Sequence, residues 1–398
     1  MPPPRLAIIG CGAAGAFCGA LLREKAPDWD ISFFEAGKRP LAKLALTGGG
    51  RCNLTNSFEG VSPSLKDVYP RGYRLMKRAL RSFGPEDTCR WFESHGVALT
   101  LQDDHRWFPV SQDAMQIVHT LLDCLRGARI RTSCPVKAVL PGKRVVLADG
   151  SEELFDAILV TTGGVRDLSL LSALDLHTVP PVPSLFTFET DSPLRSLSGT
   201  SVPVSLALAG TSFRASGALL ITDWGFSGPA ALKLSSYAAR HLAENSYRAT
   251  LLVDWLGVGV SETRSFLEDC AKGQGAKLLA SVHPIPSRLW HFLLDKAGFS
   301  RETRWKDLSD SALNRLTACL ASDTYPITGK GRFKEEFVTC GGVALEEINP
   351  ATMESRKHPG LYLAGEVLDV DAVTGGFNLQ AAWSTAFLCA EALGNLAN

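Results

Sequence analysis

The sequence predicts an α/β protein built on a parallel sheet, and three segments carry this prediction. An apolar strand at residues 6–9 runs into Gly10-x-Gly12-x-x-Gly15 and then into an apolar, helix-like stretch. A second apolar strand at 31–34 ends in Glu35, and a third at 157–160 runs into Thr161-Thr162-Gly163-Gly164. Strand, helix, strand and a later returning strand are the order of a doubly wound fold.

The glycines of the first turn have separate predicted roles. Gly10 permits the tight turn, Gly12 lets the backbone approach a pyrophosphate, and Gly15 lets the helix pack closely on the strand. Free N–H groups at the helix N-terminus favour an anion. Glu35 lies 20 residues after Gly15, where a carboxylate can accept hydrogen bonds from ribose hydroxyls. The segment therefore predicts a Rossmann-like dinucleotide-binding domain.

Composition and charge narrow the class of protein. The 398 residues carry zero formal net charge, which gives no overall field that attracts nucleic acid or membranes. The uncharged stretch at residues 6–22 contains four glycines and ends in no cleavage-like sequence, which disfavours a membrane span and a signal peptide. Ten cysteines without a Cys-x-x-Cys pair, and no His-Glu-x-x-His, predict no metal site and reduced thiols in a cytoplasmic protein.

The chain is predicted to divide into four segments. Residues 1–180 form the first part of the nucleotide-binding domain, with a basic helical excursion at 60–110. Residues 181–255 combine prolines with short β-like runs and predict an inserted β domain. Residues 256–325 predict a helical subdomain, and residues 326–398 return to the first domain, with a closing helix at 378–393.

A basic helical face is expected within residues 66–90. Its basic members are Lys66, Arg71, Arg74, Lys77, Arg78, Arg81 and Arg90. Together with Tyr69, Tyr73 and Phe83, they suit single-stranded RNA through phosphate contacts and base stacking. A solvated helical face explains the same pattern without a partner, so both interpretations stand.

Four sequence blocks resemble a known family. They are the N-terminal glycine pattern, Thr47-Gly-Gly-Gly-Arg-Cys-Asn-Leu-Thr-Asn56, Thr222-Asp-Trp-Gly-Phe-Ser-Gly-Pro229, and a C-terminal set with Thr339-Cys-Gly-Gly-Val343, Thr352-Met-Glu-Ser355, Gly365-Glu-Val-Leu-Asp369 and Thr374-Gly-Gly-Phe-Asn-Leu-Gln380. On these blocks the chain is similar to the HI0933-like, or BaiN-like, NAD(P)/FAD-dependent oxidoreductases. The resemblance implies a Rossmann-like FAD-binding domain, an inserted β-barrel-like domain and a small helical subdomain. It also implies FAD in the Gly10–Gly15 site and NAD(P)H as a transient electron donor.

The local patterns and the resemblance together predict a cofactor-binding set. Its members are Gly10, Gly12, Ala13, Ala14, Gly15, Glu35, Ala36, Gly49, Gly50, Arg51, Cys52, Asn53, Val136, Thr162, Gly163, Gly164, Gly365, Glu366, Asp369, Gly375, Gly376, Phe377 and Asn378. The glycines at 48–50 allow backbone N–H groups to point at phosphate or ring oxygens, and a tight packing turn explains them equally. Asn378 is interpreted as a helix N-cap, at a helix start whose N–H groups stabilise negative charge on the reduced flavin.

Two cysteines are candidate proton donors. Reduction of a polarised C=C bond requires a general acid on the face opposite the hydride. Cys52 lies in the glycine-rich block, and Cys340 lies in the block at 339–343. The alternative for both is a small buried residue beside the cofactor.

Three functions remain as alternatives. The first is a FAD-dependent reductase that passes hydride from NAD(P)H through flavin N5 to an unsaturated or carbonyl small molecule. The second is a flavin-dependent ribosomal RNA dihydrouridine synthase, since some relatives in this class resemble such enzymes. It would reduce the C5=C6 bond of an exposed uridine and contact RNA through the basic face. The third is a non-catalytic binding protein stabilised by flavin.

Overall fold

The chain forms two compact units in the computed structural model, which describes residues 2–59, 64–164, 167–331 and 338–396. One unit comprises residues 1–182 together with 338–398, and the other comprises residues 183–337. Gly60, the first residue of the predicted basic excursion, lies outside the described residues.

Both units contain strands and helices. In chain order the strands are β1 (Arg5–Ile9), β2 (Asp30–Phe34), β3 (Thr55–Asn56), β4 (Leu99–Leu101), β5 (Arg106–Pro109), β6 (Arg129–Arg131), β7 (Val136–Leu140), β8 (Arg144–Leu147), β9 (Glu152–Leu154), β10 (Ala157–Val160), β11 (Thr178–Ser184), β12 (Phe188–Glu189), β13 (Ser201–Leu208), β14 (Arg214–Ile221), β15 (Gly225–Ser227), β16 (Ala249–Asp254), β17 (Asp323–Ile327), β18 (Gly329–Lys330), β19 (Val338–Val343) and β20 (Leu361–Leu363). The α-helices are α1 (Ala13–Lys25), α2 (Ala42–Gly50), α3 (Leu65–Val68), α4 (Tyr73–Ser82), α5 (Pro85–Ser94), α6 (Ala114–Cys124), α7 (Gly228–Tyr237), α8 (Ala239–Glu244), α9 (Val260–Gly273), α10 (Ser287–Lys296), α11 (Asp310–Ala321) and α12 (Phe377–Leu396).

A five-stranded sheet in the order β20-β10-β1-β2-β6 forms the centre of the first unit, and every pairing in it is parallel. Its central strands are apolar and buried at residues 6–9 of β1 and at all four residues of β10, because a parallel sheet is covered on both faces. The chain runs from β1 outward to β6 and later fills the other side with β10 and β20. The strand order therefore reverses beside β1, which is where doubly wound sheets bind ligands. The predicted α/β class is confirmed.

Two long helices, α1 and α12, pack together through aromatic side chains. Phe17 on α1 contacts the indole of Trp383 on α12 with ring centroids 5.3 Å apart, and both side chains are fully buried. Gly19 is required on α1, since a Cβ there would lie 2.5 Å from the ring of Phe33. Close packing of apolar rings stabilises this layer of the unit.

The basic segment forms three short helices, α3, α4 and α5. On α4 the side chains of Leu75, Met76 and Ala79 are buried, so the charged residues of that helix project outward. Arg71 is an exception to the predicted basic face. Its guanidinium forms a bidentate pair with Asp371, which is completely buried, and only 16% of the Arg71 side chain is exposed.

The second unit contains an antiparallel sheet in the order β17-β16-β13-β14-β15-β12-β18. Helices from the segment 256–325 pack into the same hydrophobic core as these strands, as Trp290 and Leu316 do beside Leu206 and Leu251. The boundary predicted between residues 255 and 256 thus runs through one shared core.

Among the residues that the structure describes, no helix has the length and apolarity to cross a membrane.

Loss of the Arg71–Asp371 pair is expected to destabilise the first unit strongly. Asp371→Asn removes the negative charge of this buried pair, and breaking a buried pair at one partner costs about 3–5 kcal/mol. Urea unfolding measures the change in the free energy of unfolding. The control is Glu391→Gln, which breaks the half-exposed Lys25–Glu391 pair and should cost about 1 kcal/mol or less. Equal unfolding midpoints for Asp371→Asn and the wild type would contradict this role.

Candidate functional site

The turn after β1 is packed too tightly for side chains at two of its glycines. Gly10 has a φ of +97°, and its N–H donates to the carbonyl oxygen of Phe34 at 2.9 Å. A Cβ on Gly10 would lie 2.5 Å from the Thr161 carbonyl oxygen, and one on Gly15 would lie 2.2 Å from the Gly10 carbonyl oxygen. These two glycines bring β1, α1 and the turn after β10 together.

Gly12 differs from its neighbours, because a Cβ there would meet no atom within 4 Å. It is the N-cap residue of α1 and has no side-chain capping hydrogen bond, and the first turn of α1 contains no acid. Ala13 and Ala14 follow it at the start of the helix. The open backbone and the positive end of the helix dipole suit a phosphate at this position.

Glu35 follows β2 and reaches across the same turn. Its Oε2 accepts a hydrogen bond from the N–H of Cys11 at 3.0 Å, and its Oε1 accepts one from the N–H of Gly37 at 2.7 Å. The carboxylate is half-buried, while Ala36 is exposed. Each carboxylate oxygen retains capacity for a further hydrogen bond, which suits a ribose hydroxyl.

The glycine-rich loop is the last turn of α2, where regular helical geometry is lost: Gly48, Gly49 and Gly50 have left-handed backbone, with φ of +58°, +68° and +83°. A Cβ on Gly48 would lie 2.8 Å from the backbone nitrogen of Asn53, whereas Gly49 and Gly50 face open space. Only glycine adopts this run of conformations without strain. The packing and the ligand-approach interpretations therefore apply to different glycines of one loop.

Arg51 projects from this loop and lies on an aromatic ring. Its guanidinium is 4.5 Å from the centroid of Phe108 and is within hydrogen-bonding distance of the Gly48 carbonyl oxygen and of Gln112 Oε1, both at 3.3 Å. These contacts orient the guanidinium beside the loop and leave it able to meet an anion bidentately.

The start of α12 interlocks with residues 53–56. The Asn56 side chain donates to the Gly375 carbonyl oxygen at 3.1 Å. The Asn53 amide, oriented to satisfy its neighbours, accepts from the Gly376 N–H at 2.9 Å. A Cβ on Gly376 would lie 2.7 Å from the Thr55 carbonyl oxygen. The two segments are thus held together by two asparagine side chains and by a close approach at Gly376 that leaves no room for a Cβ.

Phe377 and Asn378 are fixed from two sides. The Tyr69 hydroxyl donates to the carbonyl oxygen of Phe377 at 2.8 Å. The Asn378 side chain accepts from the N–H of Ala372 at 2.9 Å and donates to its carbonyl oxygen at 3.0 Å. Because α12 begins at Phe377, Asn378 lies inside the helix, and the N-cap interpretation of its side chain is wrong.

The turns after β10 and β20 meet at Glu366. Its Oε1 accepts from the N–H of Thr339 at 2.7 Å, and a Cβ on Gly164 would lie 2.3 Å from the same oxygen. Gly163 and Thr162 precede Gly164 in this turn. Gly365, with a φ of +75°, would place a Cβ 3.0 Å from the Cβ of Ala14 on α1. The loop after β20 therefore borders the phosphate end of α1.

Two other members of the predicted set belong to other parts of the first unit's strand network. Val136 begins β7, which belongs to the separate antiparallel sheet β7-β8-β9. Asp369 donates its backbone N–H to the carbonyl oxygen of Val343 at 3.0 Å, at the end of β19. Their contact with a cofactor stays a prediction.

Both candidate thiols are completely buried. Burial raises the pKa of Cys52 to about 12, against a hydrogen bond with Thr47 that lowers it. Cys340 lies in β19 near Arg71, which also has Asp369 and Asp371 around it. Because no part of Cys52 is exposed, its thiol is better explained as a packing group than as a proton donor to a substrate.

The structure adds site residues that sequence patterns did not indicate. Gln380 Oε1 accepts from the hydroxyls of Thr55 at 2.5 Å and Thr88 at 2.9 Å, and the Trp383 indole donates to the Leu54 carbonyl oxygen at 3.0 Å. These hydrogen bonds connect α12 to residues 54 and 55, which follow the glycine-rich loop, and to Thr88 on α5. The only signal was that Gln380 ends the Gly-Gly-Phe-Asn-Leu-Gln block.

Comparison with known proteins gives consistent relatives over nearly the full length. The chain is 32% identical to the ribosomal RNA dihydrouridine synthase of Escherichia coli strain K12, covering 97% of each chain. It is 30% identical to the protein of the same name from Haemophilus influenzae, covering 96% of each. It is 28% identical to the 3-dehydro-bile acid delta(4,6)-reductase of Clostridium scindens, covering 98% of each.

Among solved structures, a variant of E. coli quinol fumarate reductase FrdA matches with a TM-score of 0.48 at 14% identity, over 99% of this chain and 70% of that one. The family model of the HI0933-like protein Rossmann domain matches residues 4–392. The chain therefore belongs to the HI0933-like family of flavoprotein oxidoreductases, as the sequence resemblance predicted.

Proposed function

We propose that this chain is a FAD-dependent reductase that converts uridine in ribosomal RNA to dihydrouridine, with NAD(P)H as the electron donor. The observation that supports an RNA substrate is the positively charged, outward face of α4, a helix whose preceding residues contact the segment 370–377. Two relatives at 30% identity or more bear the name of ribosomal RNA dihydrouridine synthase, and this supports the same substrate.

FAD fits the carboxyl edge of the parallel sheet. The open N-terminus of α1 at Gly12 would hold the pyrophosphate, and Glu35 would accept hydrogen bonds from the ribose. Gly49 and Gly50 leave space for a ring or phosphate beside their backbone. When bound, FAD supplies hydride transfer from a nicotinamide to a polarised C=C bond. The protein supplies binding, orientation and electrostatic support around it.

The cationic face consists of Arg74, Lys77, Arg78 and Arg81. These residues follow the i, i+3, i+4, i+7 spacing of one helix face, all four are exposed, and α4 contains no acidic residue. A helix that carries four positive charges and no negative one is suited to a phosphate backbone. Positive charge alone on this helix favours the RNA interpretation over a simple solvated face, on which charges of both signs are usual.

The face is anchored to the candidate site through the residues just before α4. Tyr69 donates to Phe377, and Arg71 pairs with Asp371. A Cβ on Gly72 would lie 2.5 Å from the side chain of Val370. RNA held on α4 would therefore be held at a fixed distance from the loop that starts α12.

A small-molecule reductase is the competing function, because the bile acid reductase is also a full-length relative. Purified protein, NADPH and ribosomal RNA separate the two. We expect dihydrouridine in the RNA by nucleoside mass spectrometry. Flavin reduction by NADPH without dihydrouridine would favour a small-molecule substrate, and no flavin reduction would favour the non-catalytic alternative.

Charge reversal on α4 is expected to impair RNA binding without unfolding. In Lys77→Glu/Arg78→Glu/Arg81→Glu, the loss of three phosphate contacts should weaken RNA binding on the order of 50-fold at physiological salt and lower the salt slope by about two. Filter binding over a salt series measures both.

The matched control carries the same charge change in the second unit, as Lys272→Glu/Lys277→Glu/Lys306→Glu at three exposed lysines. It should bind RNA like the wild type. Equal losses in the two triple variants would mean that net charge, and not the α4 face, governs binding.

Two glycine substitutions are expected to separate cofactor binding from folding. Gly12→Ala places a methyl group in open space at a permitted φ of −90°, so the fold should persist while the pyrophosphate is kept away and bound flavin is lost. Gly15→Ala meets backbone at 2.2 Å and should destabilise the unit by about 3 kcal/mol or more.

Absorbance measures the flavin content of each variant. Thermal unfolding of the flavin-stripped proteins measures the stability of the fold. Gly273→Ala, at a helical position where a Cβ meets nothing within 4 Å, is the neutral control. Full flavin occupancy in Gly12→Ala would argue against a pyrophosphate at α1.

Cys52 is expected to act as a packing residue. Cys52→Ala should keep its flavin and reduce RNA within a few-fold of the wild-type rate, as should Cys89→Ala, a buried cysteine on α5. Stopped-flow measurement of the substrate-reduction step tests this. A fall of about 100-fold or more in Cys52→Ala alone, with flavin retained, would instead identify Cys52 as the general acid.

A further inference from the structure

Three side chains with metal-binding atoms converge at the ends of three helices in the first unit. Glu24 lies in the last turn of α1, His95 follows α5, and Cys124 ends α6. One carboxylate oxygen, one imidazole nitrogen and the thiol sulfur all lie within 4.8 Å of one another. The residues are far apart in the sequence, so no motif spacing indicated them.

The hydrogen bonds of His95 fix the tautomer of its ring. Nδ1 lies 2.7 Å from the carbonyl oxygen of Trp91, which can only accept, so Nδ1 carries a proton. The imidazole also stacks on the Trp91 indole, with centroids 4.0 Å apart and planes inclined by 26°. A backbone carbonyl on Nδ1 and a ring fixed by stacking are the usual support for a metal-binding Nε2.

Nε2 of His95 faces an atom that cannot donate to it. It lies 2.9 Å from Oε1 of Glu24, and an ionised carboxylate only accepts hydrogen bonds. A proton on Nε2 makes this contact a hydrogen bond, and without that proton the nitrogen lone pair and the carboxylate oxygen can both be ligands of one cation. The thiol of Cys124, which is half-buried, is the third group of the cluster and lies within 4.8 Å of both atoms.

We propose that Glu24, His95 and Cys124 bind Zn²⁺, with water in the fourth position. Nitrogen, oxygen and sulfur donors in one set are typical of zinc, at about 2.0–2.3 Å from the metal. Tetrahedral coordination needs ligand atoms roughly 3.5 Å apart. The three ligand atoms reach that spacing when side-chain rotations move them by about 1 Å. Binding exchanges the thiol proton for the metal and joins α1, α5 and α6.

The site is independent of the proposed reductase activity. It acts through folding, since a metal that binds only the folded state stabilises it. The zinc would join the C-terminal end of α1, whose N-terminal end borders the candidate pyrophosphate position, to two neighbouring helices.

The test uses the flavin-loaded full chain with Zn²⁺ alone as the ligand. Competition with a chromophoric chelator measures affinity, and we expect Cys124→Ser and His95→Gln each to weaken it about 10- to 100-fold. Co²⁺ should give a thiolate-to-metal absorption band that Cys124→Ser removes. Zinc should also protect Cys124 from alkylation, mapped by mass spectrometry, with the half-buried Cys134 as the internal control.

Equal zinc affinity in the wild type and both variants would overturn the proposal, as would alkylation of Cys124 that zinc does not slow. Either result would identify the cluster as a His95–Glu24 ion pair beside a thiol. The alkylation experiment needs only the wild-type chain, so it decides the question even if a variant fails to fold.

Discussion

The rest of the first unit depends on the contact between the turn after β1 and the turn after β10. The Thr161 hydroxyl has its shorter contact, at 2.8 Å, with the carbonyl oxygen of Gly10, to which it donates, and lies 3.2 Å from that of Ile9. Any side chain at Gly10 or Gly15 would enter this contact. It sets the start of α1, and the start of α1 sets where a phosphate can bind. Glu35 contacts the same turn through the N–H of Cys11, and Gly365 packs against Ala14 in the first turn of α1.

A second constraint joins distant parts of the sequence into one site. Residues 53–56 and 375–378 interlock through Asn53, Asn56 and Gly376, while Tyr69 and Arg71 connect the basic helices to the same loop. Backbone contact this close leaves little freedom for the glycine-rich loop. The proposed cofactor position and the proposed RNA-binding face therefore belong to one packed unit.

Local patterns predicted much of this arrangement, since a strand, a glycine turn and a helix are specified by neighbouring residues. Gly10, Gly12, Gly15 and Glu35 lie where their spacing placed them. Arg71 was assigned to the exposed basic face because its partner, Asp371, is 300 residues away along the chain. The cluster at Glu24 was missed for the same reason. Pairing across long sequence separations leaves no periodic signal in a single sequence.

The most direct test of the account is nucleoside mass spectrometry of ribosomal RNA from cells with and without this gene. The account predicts that dihydrouridine is lost on deletion, returns with the wild-type gene, and does not return with Gly12→Ala. Dihydrouridine that persists unchanged after deletion would contradict the proposed substrate and would direct attention to a small molecule as the acceptor.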